Sequence, residues 1–136
     1  IEAGRTPVVV DTPAGRLGLS VCYDIRFPEL FRAMVAQGAE WFTVPAAFTV
    51  PTGKAHWEAL LRARAIENLA WVVASGQWGT HANGRETYGH SRIADHWGEV
   101  RACLPAGEGI VTAAIDRAAQ AATRQSFPAL QHRVLP

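Results

Sequence analysis

The sequence predicts an α/β (α+β) fold in which a mixed sheet carries helices. Three observations lead there. Short β-branched or alternating stretches recur along the 136 residues, and two helix-periodic segments sit among them with only brief turns between. The composition, 49% hydrophobic and 18% charged, suits a chain that buries a sheet in one core rather than a disordered one. The length is that of a single domain. A net charge of +1 without a basic run gives no support to a nucleic-acid or anionic-membrane partner. No stretch approaches the roughly 18 consecutive apolar residues of a membrane span. The two cysteines, Cys22 and Cys103, are too few for a disulfide framework, so a reduced, cytoplasmic setting is expected.

Pro7 to Asp11 is short and β-branched, and Thr12-Pro13-Ala14-Gly15 is turn chemistry, so this strand is expected to form an antiparallel hairpin with the next. In that next strand, Arg16 to Cys22, residues alternate. Leu17, Leu19 and Val21 are expected to face a core, leaving Gly18, Ser20 and Cys22 on a second face of small residues. Pro28 fits the first turn of a helix that runs to Gln37, with Leu30, Ala33, Met34 and Gln37 along one side and Gly38 at C′. Glu40 to Val44 is a strand, which implies a right-handed crossover and a parallel pair. Ala46 to Ala55 reads as a loop leaving a strand's C-terminal end, where α/β sheets place sites. His56 to Leu69 is the clearest helix, with Trp57, Leu60, Leu61 and Ala65 on its apolar face and Glu58 paired to Arg62 at i,i+4. Trp71 to Gln77 is a buried strand and Gly79 to Tyr88 a polar loop. Ser91 to Asp95 and Glu99 to Cys103 form a hairpin about Trp97-Gly98. Gly109 to Ile115 is a final strand, Asp116 caps a helix to about Gln125, and the end from Phe127 is an extended arm.

The candidate nucleophile is Cys22, which stands where a strand ends and a helix is about to start. Backbone N–H groups and the positive end of a helix dipole there favour a thiolate. The usual partner of such a thiol is a histidine, but none of His56, His81, His90, His96 and His132 has a spacing that singles it out. No H-x-x-x-H or C-x-x-C points to a metal, and no G-x-S-x-G to a serine hydrolase. Asp24, Arg26 and Glu29 crowd the turn after Cys22 and are expected to hold it rigid through a local salt-bridge network. The five tryptophans are expected in the core.

Gly18-Leu-Ser-Val-Cys22-Tyr-Asp-Ile-Arg-Phe-Pro-Glu-Leu30 closely resembles the nucleophile motif of the nitrilase superfamily, the carbon–nitrogen hydrolases. The likeness continues through Pro45-Ala-Ala-Phe48, Thr52-Gly-Lys-Ala-His-Trp-Glu58, Arg62-Ala-Arg-Ala-Ile-Glu-Asn68, Tyr88-Gly-His-Ser91, Asp95-His-Trp-Gly98 and Phe127-Pro-Ala-Leu-Gln-His-Arg133. It departs at His96, where the family usually has proline. Within the superfamily, the chain looks most like the branch of deaminated glutathione amidase and omega-amidase. The resemblance implies an αββα four-layer sandwich and a cysteine amidase for small (omega-)amides that releases ammonia through a thioester, without a cofactor or metal. Cys22 takes the nucleophile position, the backbone N–H of Tyr23 half of the oxyanion hole, and Phe48 and Glu58 lie near the substrate pocket. The family commonly pairs as a homodimer through helices like the one after Cys22.

The same resemblance implies a general-base glutamate and a lysine ahead of the cysteine. Glu2 is too close to serve, and Lys54, the only lysine, comes after it. Residues 1–136 are therefore expected to be the C-terminal part of one domain, its sheet and helix half. Two alternatives accompany this expectation. One is a catalytically silent fragment or degenerate paralogue with an assembly role, and the other a carbamoylase or nitrilase specificity.

Overall fold

The computed structural model describes residues 2–135. Strands β1 (Val8–Thr12) and β2 (Gly15–Leu19) form the antiparallel hairpin, with Val9 opposite Gly18 and Thr12 opposite Gly15. Gly15 sits at φ +106°, a left-handed conformation that a Cβ resists and glycine does not. A 3-10 turn (Cys22–Arg26) leads into α1 (Pro28–Ala36), whose proline occupies the first helical turn. Then come β3 (Trp41–Thr43), a single turn α2 (Val50–Thr52), a π turn (Gly53–Trp57), α3 (Glu58–Asn68) and β4 (Trp71–Ala74). The chain ends with β5 (Trp78–Thr80), β6 (Glu86–Tyr88), β7 (Ser91–Ala94), β8 (Val100–Leu104) and α4 (Arg117–Ser126). The main sheet has the order β1-β2-β3-β4-β7-β8. Its β2–β3 and β3–β4 pairs are parallel and the rest antiparallel, while β5 and β6 form a separate two-stranded ribbon.

Both α1 and α3 lie on one face of this sheet, and the core is what they trap against it. Phe31 and Met34 of α1, Leu61 and Ala65 of α3, and Trp57 just before α3 are buried with Phe42, Val44 and Val72 beneath them. Phe31 meets Phe42 edge to face at 5.0 Å. The expected facing of β2 holds at Leu17, which is buried, and is reversed beyond it. Gly18 and Ser20 point into this core, whereas Leu19 and Val21 are 42% and 60% exposed. Bulk on the helix side is the reason: a Cβ at Gly18 would stand 2.7 Å from the Phe42 ring and 2.8 Å from the Met34 sulfur. The small residues of β2 give α1 room to approach. The opposite face of the sheet, with Val8, Val10 and Leu19, is open.

Four further expectations differ. Gly79 to Tyr88 is not a plain loop but most of the β5–β6 ribbon. Gly109 to Ile115 pairs with no strand among the described residues, and Ile110 is 90% exposed. The expected Ala46–Ala55 loop already coils at Val50, so the helical run begins earlier, with a π turn at its junction. Of the tryptophans, Trp57 and Trp71 are buried, while Trp78 and Trp97 are largely exposed.

Helix α4 is docked by polar groups. Asp116 caps it through the Ala119 N–H at 2.8 Å. Gln120 and Arg124 then donate to the Leu69 carbonyl, each at 2.9 Å, just past the end of α3. His96 joins the β7–β8 turn to this helix. Its Nε2 lies 3.0 Å from Thr123 Oγ1, and that hydroxyl already donates to the Ala119 carbonyl. With its one proton committed, the hydroxyl accepts from His96, so the imidazole proton is on Nε2 and Nδ1 is a bare acceptor. Nδ1 is buried without a donor among the described residues.

Burial holds His96 below its ordinary value near 6.5, and Arg124 adds to that against the opposing pull of Asp95 and Asp116. The unfolded chain therefore takes up the proton first. Stability is full above about pH 6.5 and falls as the pH drops below it, by at most about 1.4 kcal/mol per pH unit for one proton. Urea midpoints measured from about pH 7.5 to about 5.5 should show this loss in the wild type and a flatter profile in His96→Gln. Parallel profiles would show that His96 is not the group responsible.

Candidate active site

The site is built where β2 stops. Beyond Leu19 the chain keeps its parallel alignment with β3 for a few residues. The Ser20 N–H and hydroxyl both donate to the Thr43 carbonyl, at 3.2 and 2.7 Å, and the Cys22 N–H donates to the Pro45 carbonyl at 2.8 Å. The chain then turns sharply, and Cys22 is placed at φ +50°. For an L residue this left-handed conformation is costly, and it persists only where the surroundings impose it. Here they do. Asp24 Oδ2 accepts the Val21 N–H at 2.8 Å, and the Asp24 N–H returns to the Val21 carbonyl at 3.0 Å. Beneath the turn, Ile25 is fully buried, and its carbonyl accepts from Arg64 Nε at 2.8 Å. Cys22 itself is half-buried against the core, with a free thiol.

The helix that starts after the turn is not what the thiol meets. Helix α1 begins only at Pro28, and a macrodipole acts within its first turn. What stands beside Cys22 instead is the 3-10 turn. Its first amides are allotted to Pro45 and Val21, except that of Tyr23, which donates to no acceptor among the described residues. The Tyr23 ring points outward and is 64% exposed.

No salt-bridge network joins Asp24, Arg26 and Glu29 among the described residues. The charges act separately because each meets a different neighbour. Asp24 caps the turn. Arg26 lies over the rings of Tyr23 and Phe48, 5.3 Å from each centroid, with Nη1 3.4 Å from His56 Nδ1. Glu29 faces away, lining a groove of about 420 Å³ with Arg32, Glu67 and Arg133.

Phe48 is buried on Trp57, ring to ring at 4.8 Å, and its segment is sewn in on both sides. Pro45 takes the Cys22 N–H, while Ala46 pairs with Gly76. The Ala47 carbonyl accepts from Arg85 Nη2 at 2.8 Å and the Phe48 carbonyl from the Tyr88 N–H at 2.9 Å, and Thr49 bridges to Thr87. The elbow at Cys22, the Phe48 segment and the β5–β6 ribbon are thus one hydrogen-bonded unit.

Glu58 does not pair with Arg62, whose Nε reaches the Gly98 carbonyl instead. Its partner is Arg92 of β7, at 2.5 Å. Arg92 is buried, so the guanidinium needs a counter-charge more than a solvated Arg62 does. The hydrogen bond and the charge of Arg92 hold the Glu58 carboxyl below its usual range. Glu58 is therefore an ionised anchor and a poor proton acceptor at neutral pH. Arg64, Arg85 and Arg92 carry the geometry of the site, and none stood out in the sequence. Their partners at the site lie 39, 38 and 34 residues away, beyond the reach of any local spacing rule.

Comparison with known proteins follows the same lines. A family model described as carbon-nitrogen hydrolase matches residues 1–125. The deaminated glutathione amidase of Yersinia enterocolitica is 48% identical over 131 residues, 96% of this chain and 46% of that protein. The crystal structure of the C. elegans NitFhit protein superposes with a TM-score of 0.90 at 47% identity, over 98% of this chain and 32% of that one. A mutant of the amidase from Nesterenkonia sp. AN1, with the acetamide moiety of fluoroacetamide covalently added at its active-site cysteine, gives a TM-score of 0.72 at 30% identity. It covers 80% of this chain and 41% of that one. The chain thus spans about half the length, or less, of the relatives it matches.

The left-handed Cys22 can be tested without any activity. Glycine adopts φ +50° at little cost, so Cys22→Gly should be more stable than Cys22→Ala by about 1 kcal/mol in urea unfolding. Equal midpoints would mean that the elbow relaxes once the thiol is gone.

Proposed function

The chain belongs to the carbon–nitrogen hydrolase family, and from that premise we propose that it carries the nucleophile of a cysteine amidase, Cys22. The observation that bears most weight is the elbow itself: a strained, half-buried thiol beside the uncommitted Tyr23 amide. In this reading the Cys22 sulfur attacks the carbonyl carbon of a small amide, and the Tyr23 N–H helps to hold the negative oxygen of the tetrahedral intermediate. The C–N bond breaks, the amine or ammonia leaves with a proton, and a thioester remains. Water then adds, the C–S bond breaks, and the carboxylic acid departs with the thiol restored.

Arg26 supports a substrate class. It is framed by two aromatic rings beside the nucleophile and has no carboxylate partner among the described residues. A guanidinium so placed suits an amide whose acyl chain ends in a carboxylate. Phe48 fixes one side of that pocket, and Glu58 holds Arg92 and the start of α3 rather than touching substrate.

Residues 1–136 make up, on this reading, the C-terminal part of a single domain whose remainder supplies the base and the lysine. The open apolar face of the sheet supports this, as a second sheet layer would cover it. The mixed-charge groove along α1 fits pairing of two copies through that helix. Free cysteines suit a reduced compartment, and among the described residues no helix is long and apolar enough to cross a membrane.

The test is hydrolysis of omega-amides by the full-length protein. Cys22→Ala should lose at least about 10³-fold in kcat, and mass spectrometry of quenched wild type should find the acyl group on Cys22. Undiminished turnover by Cys22→Ala would refute the reading.

A further inference from the structure

His56 has no part in the chemistry above, yet it holds the side chain that supports the substrate class. Arg26 and Cys22 are the two ends of one 3-10 turn, Cys22–Arg26. Among the described residues the Arg26 guanidinium makes a single hydrogen bond, from Nη1 to His56 Nδ1 at 3.4 Å. A guanidinium only donates, so Nδ1 accepts and the imidazole proton is on Nε2. His56 is therefore neutral in this contact. The rings of Tyr23 and Phe48, each with its centroid 5.3 Å from Cζ, attract the charge without a directed bond, so they leave the rotation of the fork unset. The bond to His56 sets it. The imidazole is itself carried on a braced segment, the π turn Gly53–Trp57, a geometry that recurs at functional sites. At one end Gly53 lies against Tyr88 with no room for a Cβ. At the other, Trp57 is buried on the Phe48 ring, and its Nε1 donates to the His90 carbonyl at 2.9 Å.

We propose that His56 is a positioning residue: by accepting from Nη1 it turns Arg26 so that the remaining guanidinium donors receive the carboxylate of the substrate. This rests on the amidase reading of Cys22 and on the carboxylate reading of Arg26. A neutral acceptor suits the task. An aspartate or glutamate in this place would pair with Arg26 and compete with the incoming anion. An imidazole orients the fork and leaves its positive charge for the substrate. Because the fork is ordered beforehand, less freedom is lost when the anion binds. The steps of the hydrolysis are unchanged.

The full-length protein tests this with two substrates of matched length: glutaramate, which carries a carboxylate, and pentanamide, which ends in a methyl group. His56→Leu should lower the ratio of kcat/KM for glutaramate to that for pentanamide about tenfold, mainly through KM. His56→Asn should restore most of that ratio, since its side-chain oxygen stands roughly where Nδ1 does. His56→Glu should not restore it, because a carboxylate takes up the charge of Arg26. In an Arg26→Gln background, adding His56→Leu should lower the ratio no further, as residues that act through one contact are not additive. An unaltered ratio, an equal loss on both substrates, an additive loss, or rescue by glutamate as good as by asparagine would each overturn the proposal. A binding arm separates it from its premise. In the Cys22→Ala background, glutaramate is titrated calorimetrically with and without His56→Leu. Binding weakened about tenfold supports the assignment even where the wild type hydrolyses neither substrate, which would sink the amidase reading alone. No binding, or binding indifferent to His56, overturns the assignment.

Discussion

The hydrogen bond from the Cys22 N–H to the Pro45 carbonyl is the constraint on which the rest of the site depends. It extends a parallel strand pair past the point where both strands have formally ended. Two chains that would otherwise splay apart where their strands end are kept side by side. One of them can then turn back at φ +50° without swinging into solvent, and the other is delivered to the β5–β6 ribbon. Strain at one residue is sustained because hydrogen bonds on both sides of it leave no cheaper path for the backbone.

Arginines that are buried (Arg64, Arg92) or half-buried (Arg124) complete that arrangement. Arg64 reaches from α3 to the Ile25 carbonyl under the turn while pairing with Glu67, and its guanidinium lies over the Phe31 ring. Arg92 runs from β7 to Glu58, and Arg124 collects the Leu69, Asn68 and Ala39 carbonyls at the foot of the sheet. Each spans two elements and satisfies backbone or carboxylate oxygens that packing alone would leave bare. Lysine would not do this, because its point charge lacks a planar fork able to serve several acceptors at once. The helix layer and the sheet are therefore registered by directed bonds as well as by hydrophobic contact.

Most of the architecture was legible because it follows from local rules. The hairpin came from its turn chemistry, α1 from proline and glycine at its ends, and the parallel crossover from strand, helix and strand in succession. What was not legible depends on partners distant in sequence. Alternation alone says that β2 has two faces but not which is buried. Phe42 and Met34 decide it by filling the space above Gly18. The i,i+4 spacing made Arg62 the obvious partner of Glu58, yet Arg92, buried 34 residues on, has the greater need of a counter-charge. The β5–β6 ribbon was obscured because its residues are polar, its order coming from Thr49, Tyr88 and Arg85 rather than from an apolar stripe. The same holds for the site. Cys22 could be found from its motif, but Asp24 and Arg26 were found as neighbours in sequence, and their separate tasks show only in space.

The placement of these features divides the labour of catalysis on the amidase reading. The packing that backs Cys22 lies on the helix side of the sheet: Gly18 admitting α1, Arg64 under the turn, and Trp57 behind Phe48. None of it depends on the open face. The geometry of the nucleophile and the Tyr23 amide is accordingly a property of these residues, whereas the amidase reading assigns proton transfer to groups outside them. A preorganised nucleophile gains nothing until a proton acceptor reaches it.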